Sequence, residues 1–107
     1  MRAPTTAFIL LTAALGSPPG GWAADSPAAL YRQALAATCA NCHGTQGQPI
    51  AQSAVPGLAG TPVNYFREQM SAFKTGQRTA TVMHQIAKGF SDAQIDELAA
   101  YFAALPR

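Results

Sequence analysis

The sequence predicts an all-α protein, and three observations carry that prediction. Two candidate helices open on a capping residue followed by proline, Ser26-Pro27 and Thr61-Pro62. Serine or threonine at an N-cap satisfies an orphan backbone N–H, and proline suits the first helical position because its missing N–H is not needed there. A third opens on Ser91-Asp92-Ala93-Gln94, the capping-box pattern in which serine and glutamine cap each other's backbone. Apolar residues then recur at spacings of three and four, the period of one helical face.

The elements follow in order. Ala28–Thr38 is rich in alanine and leucine and has high helix propensity. It leads into Cys39, and Gly44 is placed to terminate helical structure. Residues 44–60 hold Gly44, Gly47, Pro49, Pro56, Gly57 and Gly60 with no amphipathic period. They read as a loop long enough to have a task of its own. Val63, Phe66, Met70 and Phe73 form one stripe on the next helix, which Gly76 ends. A short segment spans Thr81–Lys88, closed by Gly89. The last helix carries Ile95, Leu98, Phe102 and Leu105 on one face, with Asp92, Asp96 and Glu97 near its start, where the helix dipole favours negative charge.

Residues 39–43 read Cys-Ala-Asn-Cys-His and contain the only two cysteines in the chain. C-x-x-C-H is the attachment signature of a c-type haem. Three residues apart on a helical turn, Cys39 and Cys42 share an edge and reach one side of a porphyrin as thioethers, while His43 points at the iron. The competing readings are weaker. A thioredoxin-like dithiol needs a preceding strand, and the residues before Cys39 look helical. A structural zinc site takes four ligands, and the spacing of Cys39, Cys42, His43 and His84 matches no usual zinc pattern. A disulfide across two intervening residues closes too short a loop to stabilise much.

Haem attachment of this kind takes place outside the cytoplasm, so an export signal is expected with it. Arg2 supplies a positive start, Ala7–Leu15 an apolar run, and Gly21-Trp22-Ala23 small residues at the positions preceding a cleavage site. The run is too short to span a membrane. The expectation is therefore a cleaved signal peptide over 1–23 and one periplasmic domain over 24–107, with no integral membrane segment in the mature chain. A domain of that size is close to the lower limit for an independent core, and a covalent cofactor supplies apolar surface at its centre. The formal net charge of +2 falls to +1 once Arg2 is removed with the leader. Such a balance gives no reason to expect a nucleic-acid partner.

An electron-transfer haem takes a second axial ligand. The candidates are Met70, Met83 and His84. Met70 sits on the apolar stripe of a helix, where core packing is its ordinary role. Met83 lies in a short segment between punctuated helices, and His84 beside it would give bis-histidine ligation. A methionine–histidine pair raises the reduction potential relative to that alternative. A vacant sixth position, open to small gases, is a further possibility.

Cys39–Gly44 with Gly47, then Pro56-Gly57-Leu58-Ala59-Gly60, Tyr65, Gln69, Phe73-Lys74, Gly76 and Arg78 resemble the small class I cytochromes c of the c4/c553 type. Thr81–Ser91 and Leu98-Ala99-Ala100-Tyr101-Phe102 are similar to the cytochrome subunit of flavocytochrome c sulfide dehydrogenases. The resemblance implies a class I cytochrome c-like fold, about four helices around one covalently bound haem c. It implies Met83 as the axial partner of His43, with His84 a bystander. It also implies that the carbonyl of Pro56, with Pro49 as competitor, accepts the proton of the other His43 ring nitrogen. Tyr65 and Arg78 are candidates for contact with a haem propionate, against the plainer roles of core tyrosine and solvated arginine. Many relatives of this type carry two such domains, whereas this sequence shows one motif, a monohaem version. The expected function is periplasmic electron transfer without bond chemistry. Redox protein partners dock at the haem edge near Cys39 and Cys42 through a small transient interface. The alternative is the electron-accepting cytochrome subunit of a flavoprotein sulfide dehydrogenase complex.

Overall fold

The structure, a computed structural model, describes residues 25–107. The export signal expected over 1–23 lies outside the described residues. Five α-helices follow one another: α1 Pro27–Ala37, α2 Ala40–His43, α3 Val63–Thr75, α4 Met83–Lys88 and α5 Asp92–Ala103. A single 3₁₀ turn, Thr45–Gly47, follows α2. Among the described residues there is no strand.

Helix α1 begins as its cap predicts, with Ser26 Oγ accepting from the Ala29 N–H at 3.2 Å and Pro27 next in line. It stops one residue before the expected end. Thr38 N and Cys39 N turn back to the carbonyls of Leu35 and Ala36, three residues away, which tightens the last turn. The i→i−4 pattern then restarts with His43 N on Cys39 O at 3.0 Å, so the cysteine motif forms a separate short helix, α2. Gly44 ends it at φ 86°, ψ 154°. Only glycine is comfortable there, and a Cβ would stand 1.9 Å from the Gln48 carbonyl oxygen.

The opening of α3 departs from its expected form. Pro62 itself occupies the cap position, extended at φ −57°, ψ 138°, and no side chain caps the helix. Thr61 lies one residue too far out to reach the first turn. Gly76 closes α3 in the left-handed conformation, φ 79°. The capping box of α5 is complete: Ser91 Oγ accepts from Gln94 N at 3.2 Å, and Gln94 Oε1 accepts from Ser91 N at 2.9 Å. Ser91→Ala removes one of these bonds and leaves an orphan N–H, costing about 1 kcal/mol. In a domain of this size that lowers Tm by roughly 4–8 °C, measurable by thermal denaturation followed by circular dichroism; an unchanged Tm would show that the box contributes nothing.

Helix α5 is the centre of the fold and packs against both α1 and α3, while α3 also carries α4. Phe102 and Leu98 are fully buried, joined in the core by Phe66 and Met70 of α3, Ala36 of α1 and Ala87 of α4. Phe66 stacks on Phe102 with ring centroids 5.8 Å apart, and Tyr101 meets Phe102 edge-on at 5.2 Å. The predicted α3 stripe is therefore the face that meets α5. The acidic start of α5 also has a tertiary use. Asp92, Asp96 and Glu97 pair with Lys74, Arg67 and Arg32 at 2.9, 2.6 and 2.5 Å, fastening α5 to α3 and α1. These pairs are largely solvent-exposed, so each contributes at most about 1 kcal/mol. The packing of the aromatic core outweighs them. No helix among the described residues is long and apolar enough to cross a membrane.

Candidate functional site

Among the described residues the fold forms a cavity of about 400 Å³ whose walls come from α2, α3, α4 and the loops that precede and follow α3. Its lining is mostly apolar: Val55, Pro56 and Leu58 from the loop after α2, Phe66, Met70 and Phe73 from α3, and Met83, Ile86 and Phe90 from α4 and beyond. Cys39, Cys42 and His43 line it together. Residues 44 positions apart in sequence, Cys39 and Met83, thus share one chamber because α4 packs on α3 and α1 leads into α2.

The two thiols are free. Burial pushes the Cys39 thiol above its ordinary range, and the neighbouring Thr38 hydroxyl opposes this only in part.

His43 is oriented by the loop. Its Nδ1 stands 2.6 Å from the Pro56 carbonyl oxygen. A carbonyl only accepts, so Nδ1 donates and Nε2 carries the free lone pair available to a metal. The loop that delivers Pro56 is itself pinned. The Gly47 carbonyl accepts from Leu58 N at 2.7 Å and from Ala59 N at 3.0 Å, and Gly60 N donates to Phe102 O at 2.8 Å. Pro49, the other proline considered, makes no such contact with the ring; its ring packs near Gly57.

Of the three candidates for a sixth ligand, Met70 is 6% exposed and belongs to the core, although one side of it also forms cavity wall. Met83 is the first residue of α4, half-buried, packed against the core and facing the cavity. His84 is not part of the lining; its Nδ1 is buried without a hydrogen-bond partner. Tyr65 and Arg78 both line the cavity, and neither is core: Tyr65 is 53% exposed. Arg78 stacks its guanidinium 4.6 Å above the Phe73 ring and donates to Gln69 Oε1. Val55, Ile86 and Phe90 were not legible as site residues, since apolar side chains in loops and short helices look alike until the chain closes on itself.

This set of donors fits a covalently held haem: two thiols and an imidazole with its metal-binding nitrogen free, at one wall of an apolar chamber, with a thioether facing the same space. The sequence model of the family described as cytochrome c oxidase, cbb3-type, subunit III matches residues 23–102. The chain belongs to this cytochrome c family. Cytochromes c of this family bind haem c and transfer electrons. Among relatives, the cytochrome subunit of sulfide dehydrogenase from Chlorobaculum tepidum is 38% identical over 73 residues, covering 68% of this chain and 64% of that protein. The thiosulfate dehydrogenase electron acceptor of Thiomonas intermedia is 37% identical over 101 residues, covering 91% of this chain and 43% of that one. The cytochrome chain spans 33–43% of the length of the thiosulfate dehydrogenase electron acceptors it matches. A solved cytochrome c4 from Acidithiobacillus ferrooxidans superposes with a TM-score of 0.66 at 33% identity, covering 74% of this chain and 51% of that one. The all-α, class I cytochrome architecture expected from the sequence is thereby shown.

Proposed function

We propose that this cytochrome c domain is a periplasmic one-electron carrier with a single haem c, joined through thioethers to Cys39 and Cys42 and ligated axially by His43 and Met83. The observation that carries the reading is the convergence of Cys39, Cys42, His43 and Met83 on one apolar cavity, with His43 Nδ1 engaged by Pro56 O. When bound, the haem supplies an iron that gains and loses one electron. The chain's own residues do the rest. The Pro56 carbonyl holds the imidazole in one tautomer and one orientation and raises its basicity. The thioether of Met83 favours the reduced state relative to a second imidazole. Phe66, Phe73 and Leu58 keep water from one side of the chamber, so little solvent rearranges when the charge changes.

Expression with periplasmic maturation tests this. The purified protein is expected to retain haem on a denaturing gel and to show a low-spin ferric spectrum with the methionine-to-iron charge-transfer band. Cys39→Ala or Cys42→Ala is expected to weaken the covalent attachment. A chain without gel-resistant haem, or a high-spin ferric spectrum with rapid binding of carbon monoxide to the ferrous form, would overturn the reading.

A second reading is favoured by the names of the relatives, a cytochrome subunit of sulfide dehydrogenase and electron acceptors of thiosulfate dehydrogenase. In it the domain accepts electrons within, or directly from, a dehydrogenase complex such as a flavoprotein sulfide dehydrogenase. A flavin-containing partner that co-purifies stoichiometrically supports this reading. Purification as a free carrier opposes it.

A further inference from the structure

The loop that delivers Pro56 is fastened to the segment that follows α5. Three bonds join them. Gly60 N donates to Phe102 O at 2.8 Å, Arg107 Nε to Gly60 O at 3.3 Å, and Gln48 Nε2 to Pro106 O at 2.9 Å. Gly60 leaves room for this segment, since a Cβ there would run into the Arg107 side chain. Both edges of the loop are held. Gln48 and Gly60 flank the stretch that carries Pro56, and Gly47, next to Gln48, takes the Leu58 and Ala59 N–H groups on its carbonyl. Between these anchors the bonds are internal: Ser53 N donates to Ile50 O, and Val55 N donates to Ser53 Oγ. The anchors therefore set where Pro56 stands.

Gln48 is the anchor whose role no local pattern gives. It is exposed, with an extended backbone at φ −68°, ψ 134° just after the 3₁₀ turn, and it does not line the cavity. An exposed glutamine gains little by giving up its rotamer freedom for one neutral hydrogen bond. Here the bond spans 58 residues and ends on a proline, whose ring fixes φ and stiffens the acceptor. Its effect reaches His43 because the Pro56 carbonyl stands 2.6 Å from Nδ1.

We infer that Gln48 is a positioning residue for His43: by fastening the loop to Pro106, it holds the Pro56 carbonyl against the imidazole and sets part of the iron's potential. This rests on the haem reading above. A carbonyl held close to Nδ1–H makes Nε2 a more basic ligand, which favours ferric iron. A carbonyl that drifts away does the opposite.

The test is Gln48→Ala in the haem-loaded protein, read by magnetic resonance of the His43 Nδ1 proton and by the reduction potential. The proton is expected to exchange with solvent about fivefold faster, the scale of one ordinary hydrogen bond lost. The equilibrium is expected to shift toward the ferrous state by about two- to threefold, a part of that same scale. Gln48→Glu keeps the shape without the donor and should move both signals in the same directions. Ser91→Ala separates positioning from stability. It weakens the opposite end of α5 and should leave both signals where they are. A Gln48→Ala or Gln48→Glu protein that keeps its haem and its methionine-to-iron band, yet retains the original exchange rate or the original potential, overturns the inference. So does Ser91→Ala moving both signals as far. Should the Gln48 variants fail to mature, the unsubstituted protein still decides. One side-chain amide proton of Gln48 is expected to be protected from exchange by its bond to Pro106, and two that exchange as in a free glutamine overturn the inference. Loss of covalent haem or of the methionine band in the unsubstituted protein instead sinks the underlying haem reading.

Discussion

Met83→Ala is expected to abolish the low-spin ferric spectrum and to lower the reduction potential. The potential should drop on the order of 0.1–0.2 V, a fraction of the roughly 0.8 V that axial ligands span across haem proteins. The physical reason is that the thioether stabilises the ferrous state more than the ferric, and alanine leaves that position to water. Met83 is half-buried against the core, so the substitution also removes some packing. Met83→Leu, close in volume, separates the two effects: it should keep the fold and still lose the low-spin spectrum. His84→Ala is the matched control and should leave the spectrum as it is, because His84 does not line the cavity. A Met83→Ala protein with an unaltered spectrum, alongside a His84→Ala protein with a changed one, would reverse the ligand assignment.

The second large effect belongs to a residue with no chemistry of its own. Gly47→Ala is expected to cost about 2–4 kcal/mol, the sum of a disfavoured backbone conformation and forced overpacking. Gly47 sits at φ +70°, and a Cβ there would stand 2.9 Å from Ala59 N, from Leu58 Cβ and from Phe102 Cδ1. Two of those neighbours are on the segment that carries Pro56 to His43, and the third is the most central aromatic ring of the core. The loss is a large share of the stability available to so small a domain. Gly76→Ala provides the comparison. Its φ is +79°, but nothing lies within 4 Å of the added atom, so it bears only the conformational cost of about 1 kcal/mol. Urea unfolding of the two variants measures the difference. If Gly47→Ala proved no more destabilising than Gly76→Ala, the close packing of the loop on α5 would not be what holds Pro56 in place.

Much of the fold was legible in local chemistry. Ser26 and Ser91 marked helix starts because a side-chain oxygen within three residues can satisfy the first backbone N–H groups. Both do so here, at 3.2 Å. Gly44 and Gly76 marked helix ends because their positive-φ conformations, 86° and 79°, disfavour any residue that carries a side chain. The stripe on α3 marked the face that meets α5. Thr61 misled for the same local reason in reverse: whether a threonine caps depends on the backbone angle of the next residue, and Pro62 took the cap position itself. The acids at the start of α5 read as dipole partners, but Lys74, Arg67 and Arg32 reach them from two other helices, which no local pattern reveals.

The C-x-x-C-H motif is read from the sequence alone, since Cys39, Cys42 and His43 are neighbours on the chain. The same holds for the all-α class, because caps and periodicity act over a few residues. What the tertiary structure decided is everything that joins distant residues. Pro56, thirteen residues from His43, is placed against its ring by the bonds of Gly47 to Leu58 and Ala59. Met83 lines the chamber and its neighbour His84 does not, an outcome set by how α4 packs on α3. Arg78 enters the chamber because Phe73 and Gln69 hold it there. In the proposed reading, haem attachment rests on five consecutive residues, whereas the cavity around them is assembled from segments that meet only when the core closes.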